Sequence, residues 1–209
     1  ETKSMNDDMS DPLSNSVRNR KRLTLIALMA LFLSPVLAAW LWTPDTFRNR
    51  GELIDPPQPL VNVPMISPDG SDVDLTNLFG RWTYVFFVEA GCDESCKQLA
   101  DAVERVRLSQ GKNEKRVRLM VITLSPDALS SVDEIRLIMP KTIVLGVNAA
   151  EKEQLLPQFM SSGEASALQS GSVFLVDPMG NLMMSYPAKA DPTDLRKDIS
   201  RLLRASRIG

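Results

Sequence analysis

Cys92 and Cys96 are the only cysteines in the 209-residue chain, and they stand four apart in the stretch FVEAGCDESCKQLADAVERV. Two thiols at that spacing can cycle between dithiol and disulfide, hold a soft metal ion, or close a small structural bridge. On a helix, residues i and i+4 share a face with Cα atoms about 6 Å apart, inside the range that a disulfide spans. Backbone N–H groups at a helix N-terminus stabilise a thiolate. Cys92, in the turn before the helix, is therefore the expected nucleophile, and Cys96 the expected resolving partner. Asp93 and Glu94 oppose a second negative charge beside them, and Lys97 offsets them in part, so the thiol pKa is expected to fall only modestly. A ring this small restricts the unfolded chain little, which favours redox or metal chemistry over a plain stabilising bridge. The plain bridge stays open as the alternative.

Other chemistries drop out on composition. The chain has no histidine, which removes Ser-His and Cys-His nucleophile pairs and every His-bearing zinc or haem site. Two cysteines are too few for a four-Cys zinc site or a multi-disulfide scaffold. A formal net charge of -2 argues against nucleic acid as a partner, because phosphate binding needs a basic face. Asp133 with Glu134, and Glu151 with Glu153, read as solvated helix faces. Arg105 and Arg107 read as decoration of the solvent side of the helix after the cysteines. There is no GxGxxG and no phosphate loop.

These thiols need a compartment, and the start of the chain supplies one. Leu23 to Trp42 (LTLIALMALFLSPVLAAWLW) is free of charge over 20 positions, long enough to cross a hydrocarbon core of about 30 Å. Arg18, Arg20, Lys21 and Arg22 precede it. The positive-inside rule then keeps residues 1–22 cytoplasmic and places everything after Trp42 on the far side of the membrane. Trp40 and Trp42 fall where an interfacial aromatic belt would be. A signal peptide cleaved near Ala38 is the competing reading. Residues 43–59, polar and proline-rich, read as a tether.

The remainder, 60–209, reads as one α/β domain that presents the cysteines at a strand-to-helix turn. A hairpin is expected over Val61–Ser67 and Asp72–Leu75, turning at Pro68-Asp69-Gly70. Trp82–Val88 and Val117–Leu124 have the continuous apolar character of buried strands. Helices are expected over Glu94–Leu108, Asp127–Met139 and Glu151–Phe159, with a third buried strand at Thr142–Val147. Ser172–Val176 and Leu182–Tyr186 form a closing hairpin. A last helix runs over Asp191–Leu203, with Asp191 as its N-cap and Pro192 at its first position. This order makes a three-layer α/β sandwich with a mixed sheet.

The anchor, the hairpin with PDG, the segment DLTNLFGRWTYVFFVEAGCDESC and the late FLVDPMGNL resemble the Sco/SenC proteins of cytochrome c oxidase assembly, over roughly Leu60 to Leu203. The resemblance implies a thioredoxin-like fold. It also implies copper held by both cysteines of a CPxxCP motif and a distant histidine, and thiol reductase activity towards the copper-site cysteines of oxidase subunit II. In this chain Asp93 and Lys97 stand where the family has prolines, and Gln169 takes the histidine slot ahead of Phe174-Leu175-Val176-Asp177. An amide is a poor ligand for Cu(I). Cu(I) would then rest on Cys92 and Cys96, aided by a methionine such as Met160 or Met179.

The reading that follows is a bacterial inner-membrane protein, single-pass, with a periplasmic thioredoxin-like domain. It would act as a thiol–disulfide oxidoreductase through Cys92 and Cys96, with no cofactor required and copper as the one implied. Its expected partners are respiratory oxidase subunits or assembly factors, at the membrane. The alternatives are a non-catalytic accessory or assembly subunit of a respiratory complex and a Cu(I) chaperone.

Overall fold

The computed structural model describes residues 12–41, 49–89, 91–160 and 171–208. They fall into two units, divided between residues 48 and 49.

The first unit is one helix, α1 (Pro12–Leu41). Within it, Asn19–Ala38 has the length and apolarity to cross a membrane, with a mean hydropathy of 1.7. Among its described side chains the large ones, Phe32 and Trp40 included, are exposed. The Thr24 and Ser34 hydroxyls turn back onto the carbonyls of Arg20 and Leu31, which satisfies them inside the helix itself. Trp42, expected to close the span, lies outside the described residues.

The second unit is built on an eight-stranded mixed sheet in the order β1-β8-β7-β4-β5-β6-β2-β3. Its strands are β1 (Glu52–Pro59), β2 (Pro64–Ile66), β3 (Asp72–Asp74), β4 (Trp82–Val88), β5 (Val117–Thr123), β6 (Ile143–Gly146), β7 (Val173–Val176) and β8 (Asn181–Tyr186). β4 runs parallel to β5, from Trp82 opposite Val117 to Val88 opposite Thr123, and antiparallel to β7. β4 sits at the centre, so both its faces are covered, and its unbroken apolar run follows from that. Trp82, Tyr84, Phe86 and Val88 pack under α2 (Glu94–Leu108) and α6 (Pro192–Ala205). Val85 faces the other way, into a second core with Leu155 of α5 (Ala149–Leu155) and Phe159 of the turn that follows it. These are the three layers the element order implies.

Three expectations need correction. The tether does not run to residue 59, because 52–59 form edge strand β1, paired to β8 alone. An edge strand tolerates proline, and the pairing register shifts between Leu53 and Gln58, across Pro56 and Pro57. The chain is fastened just ahead of β1, where the Arg50 and Gly51 amides both donate to the buried carboxylate of Asp198, each at 2.9 Å. The helix expected over 127–139 is broken into α3 (Leu129–Asp133) and α4 (Ile135–Ile138). There the Ser131 hydroxyl donates to the Ala128 carbonyl, which competes with the helical ladder. Finally, Arg107 does not decorate the solvent face: only 3% of it is exposed. Its Nε and Nη2 donate to the two carboxylate oxygens of Glu104, both at 2.7 Å. Arg105 is exposed, paired with Asp101. Of the acidic residues read as solvated, Glu134 and Glu153 are exposed while Asp133 and Glu151 are half-buried.

Candidate functional site

The turn that carries the cysteines is set at three points. β4 ends at Val88. Gly91 follows with φ +119°, a conformation that favours glycine, and a Cβ there would press to 3.2 Å from the Ser131 hydroxyl. Asp93 then caps α2 in an extended conformation, its side chain accepting the Cys96 amide at 2.9 Å and the Ser95 hydroxyl at 2.7 Å. Cys92 lies just outside the helix and Cys96 on its third residue, as expected.

The two cysteines are joined as a disulfide, with Cα atoms 5.2 Å apart. Both are half-buried, packed against the core under α2. The charges around them are outward: Asp93 and Glu94 are exposed. The Cys96 amide, and after it the Ser95 hydroxyl, hold the Asp93 carboxyl below the usual carboxylate range. Beside the disulfide lies a cavity of about 620 Å³, with Cys96, Phe87, Leu99, Leu124, Leu156 and Lys189 in its wall. The arrangement suits thiol–disulfide exchange: a half-buried bridge at a helix start, with Cys96 but not Cys92 in the wall of a recess that mixes apolar and polar side chains.

Sequence reasoning brought Cys92 and Cys96 together correctly but treated Asp93 only as a charge. Its place immediately before the first helical residue was the available signal for a cap. Lys189 was missed too. It reaches the recess from the loop between β8 and α6 with φ +67°, and nothing in PAKADP marks it.

Of the two methionines expected to aid copper, Met179 does not share the cysteines' end of the sheet. Met179 sits in the β7–β8 turn, beyond Val176, which pairs with Thr83 near the start of β4. The cysteines follow the other end of β4, about 17 Å away at the rise of a strand. Met160 is exposed and is not in the cavity wall. Gln169 lies outside the described residues. Among those residues no cluster of three or more Cys, Asp or Glu side chains is placed to hold a metal. The sulfurs are bonded to each other, and the sequence offers no imidazole. The donor set present does not fit a two-sulfur, one-nitrogen copper centre.

Fold and site together define a thioredoxin-like protein whose cysteine pair opens a helix after the central strand. The chain belongs to the family described as transmembrane-like, thioredoxin-like, C-terminal domain, which matches residues 82–206. Among solved structures it is similar to Arabidopsis thaliana ScoI with copper bound, at 20% identity and TM-score 0.56, over 70% of this chain and 98% of that one. It is similar to apo Sco1 from Thermus thermophilus, at 18% identity and TM-score 0.57, over 77% and 98%. A thiol:disulfide interchange protein from Bacteroides sp. matches at 15% identity and TM-score 0.52, over 72% and 91%. No curated protein matches the sequence. The resemblance to Sco proteins read from the sequence therefore holds at the level of the fold.

Proposed function

We propose that this chain is a membrane-anchored thiol–disulfide oxidoreductase of Sco type, which keeps the copper-site cysteines of a respiratory oxidase reduced during assembly. The observation that carries the reading is the Cys92–Cys96 bridge at the start of α2, with Cys96 in the wall of the adjoining recess. In the reduced protein the Cys92 thiolate attacks a target disulfide, forming a mixed disulfide and releasing one target thiolate. The Cys96 thiol, deprotonated in the step, then attacks Cys92, releases the second target thiol and leaves the pair oxidised. Two electrons and two protons pass to the target, and an external dithiol donor must restore the pair. Neighbours that include a thiol:disulfide interchange protein support the chemistry. The basic cluster before α1 supports an inner-membrane anchor with the domain in the periplasm, next to oxidase subunits and assembly factors.

The test uses the full chain and a peptide carrying the disulfide form of an oxidase copper site. Wild type should reduce the peptide without copper, and Cys96→Ser should trap it on Cys92. A Cys92 that resists alkylation up to high pH and traps nothing hands the chain to the accessory-subunit reading. Copper-bound neighbours make a second arm necessary, a chelator competition with Cu(I). Affinity lost in either cysteine variant, with no turnover of the peptide, would favour a Cu(I) chaperone instead. Orientation is checked by a reporter enzyme, active only outside the cytoplasm, fused after Gly209; silence there would reverse the topology.

A further inference from the structure

Arg118 is a half-buried cation for which the described residues supply no counterion. It is the second residue of β5 and lies opposite Thr83 in the parallel register with β4. Strand alternation puts it on the face of Met120 and Ile122, at the rim of the second core. Its Nε donates to the Thr83 hydroxyl at 2.9 Å, and that hydroxyl donates in turn to the Arg81 carbonyl at 3.1 Å. Such a chain of hydrogen bonds fixes the guanidinium plane. Its Nη2 is buried with no hydrogen-bond partner among the described residues. The charged group that bears on it is a second guanidinium, Arg81, exposed just ahead of β4. Burial, and after it the charge of Arg81, lowers the Arg118 pKa to about 10. It stays cationic at neutral pH, so two like charges are held near an unmatched donor.

We propose that Arg118 and Arg81 form an oxyanion site that takes a phosphate group. Two guanidiniums match a dianionic, tetrahedral phosphate, which offers more oxygens and more charge than a carboxylate. The anion supplies the acceptor that Nη2 lacks and cancels the repulsion between the two arginines. Thr83 is a positioning residue: its hydroxyl holds Nε and so orients the remaining donors. Arg81, exposed, rotates onto the anion from the solvent side. The site stands at the start of β4 and β5. The cysteines follow the far end of β4, at Val88, about 17 Å from Thr83 at the rise of a strand. It is thus separate from the dithiol and does not depend on the oxidoreductase reading.

The experiment follows the backbone amides of Thr83 and Arg118 by NMR in the full chain, held in an uncharged detergent. Inorganic phosphate is titrated in at constant ionic strength, made up with chloride, so that general screening does not change. Wild type should show saturable shifts at both amides. Arg81→Gln, a change at an exposed side chain, should weaken the apparent affinity about tenfold, the usual worth of one charge-assisted hydrogen bond. Arg118→Gln should abolish saturation, and Arg118→Lys, which keeps the charge and loses the fork, should not restore it. Arg81→Gln carries the test if the Arg118 variants do not fold. A second titration, with a short-chain phosphatidic acid, separates the sources of the group. Binding tighter than that of inorganic phosphate assigns the site to a lipid headgroup, and equal or weaker binding assigns it to a soluble phosphate. A merely structural Arg118 would lower the melting temperature of its variants and leave wild type without a saturable response to either probe. Shifts that stay linear in phosphate, or an Arg81→Gln curve that matches wild type, overturn the proposal.

Discussion

At its first turn α2 gathers exposed Asp93, Glu94 and Ser95 around a half-buried disulfide, whereas at its last turn it buries Arg107. The Arg107 guanidinium grips both oxygens of Glu104 and reaches the Glu114 backbone carbonyl at 3.4 Å. Glu114 in turn pairs with Lys141 at 3.5 Å, just ahead of β6. The hydrogen bonds that Arg107 donates to Glu104 raise its pKa further. One end of the helix is therefore cross-braced to two neighbouring segments, and the other is held by a single cap and a short covalent ring. Chemistry that must expose a sulfur to a partner belongs at the second kind of end, where local opening is cheap. The braced end keeps the helix axis fixed while that happens.

The largest effect is expected from breaking the braced end. Arg107→Ala leaves the Glu104 carboxylate without its partner in a mostly desolvated place. Removing one member of such a pair costs about 3 kcal/mol, the lower part of the usual range because Glu104 and Glu114 keep some contact with water. The check is urea unfolding of wild type and variant, with the glutathione equilibrium of the cysteines measured alongside. Stability should fall while the equilibrium stays put. A redox ratio that moves with Arg107→Ala would mean that the two ends are coupled, contrary to the separation argued above.

A smaller effect is expected from opening the other end. Reducing the bridge releases a ring of only five residues, and chain-entropy arithmetic gives about 2 kcal/mol for a loop of that size. Urea midpoints with and without reductant, at an unchanged slope, measure it. A loss well above that figure would make Cys92–Cys96 a staple that α2 depends on, and would count against a pair meant to cycle.

The contrast between the two ends also explains what the sequence revealed. Cys92 and Cys96 were legible because chemistry-bearing residue types at a fixed spacing, after a strand as apolar as Trp82–Val88, leave few alternatives. The central strands were legible for the same reason, since a strand covered on both faces must be apolar throughout. Arg107 was not legible. An arginine beside an apolar residue on a helix looks like surface decoration, and its partner beyond the helix, Glu114, lies seven residues on. β1 was hidden by its prolines, which read as tether because the pairing partner, β8, lies some 120 residues away. Asp93 fell between these cases: its position as a cap was readable, but its two hydrogen bonds to the cysteine turn had to be seen. Copper was carried into the reading by resemblance, and the placement of Met179 at the far end of the sheet shows how little spacing says about which loops share a pole.

The smallest effect is the most local, and it tests whether the cap exists in solution. Asp93 and Asp191 both cap helices, the first through the Cys96 amide and the second through the Thr193 amide at 2.8 Å. These backbone hydrogen bonds are the largest cause of the lowered pKa at each. A carboxyl whose pKa is lower in the folded protein lends stability that is complete above its unfolded value. That contribution is lost as the pH falls through the folded one. Other carboxyls titrate in that acid range as well, so each cap is read at the amide it holds. Amide proton shifts of Cys96 and Thr193, followed by NMR on acidification of the oxidised protein, should each move with a midpoint below the ordinary carboxyl value of 3.8. In Asp93→Asn the Cys96 transition should vanish while that of Thr193 persists. A Cys96 midpoint at or above 3.8 would show that the Asp93 carboxylate does not sit on the first turn of α2. The charge would then be free in solvent, and the two ends of the helix would differ only in their burial.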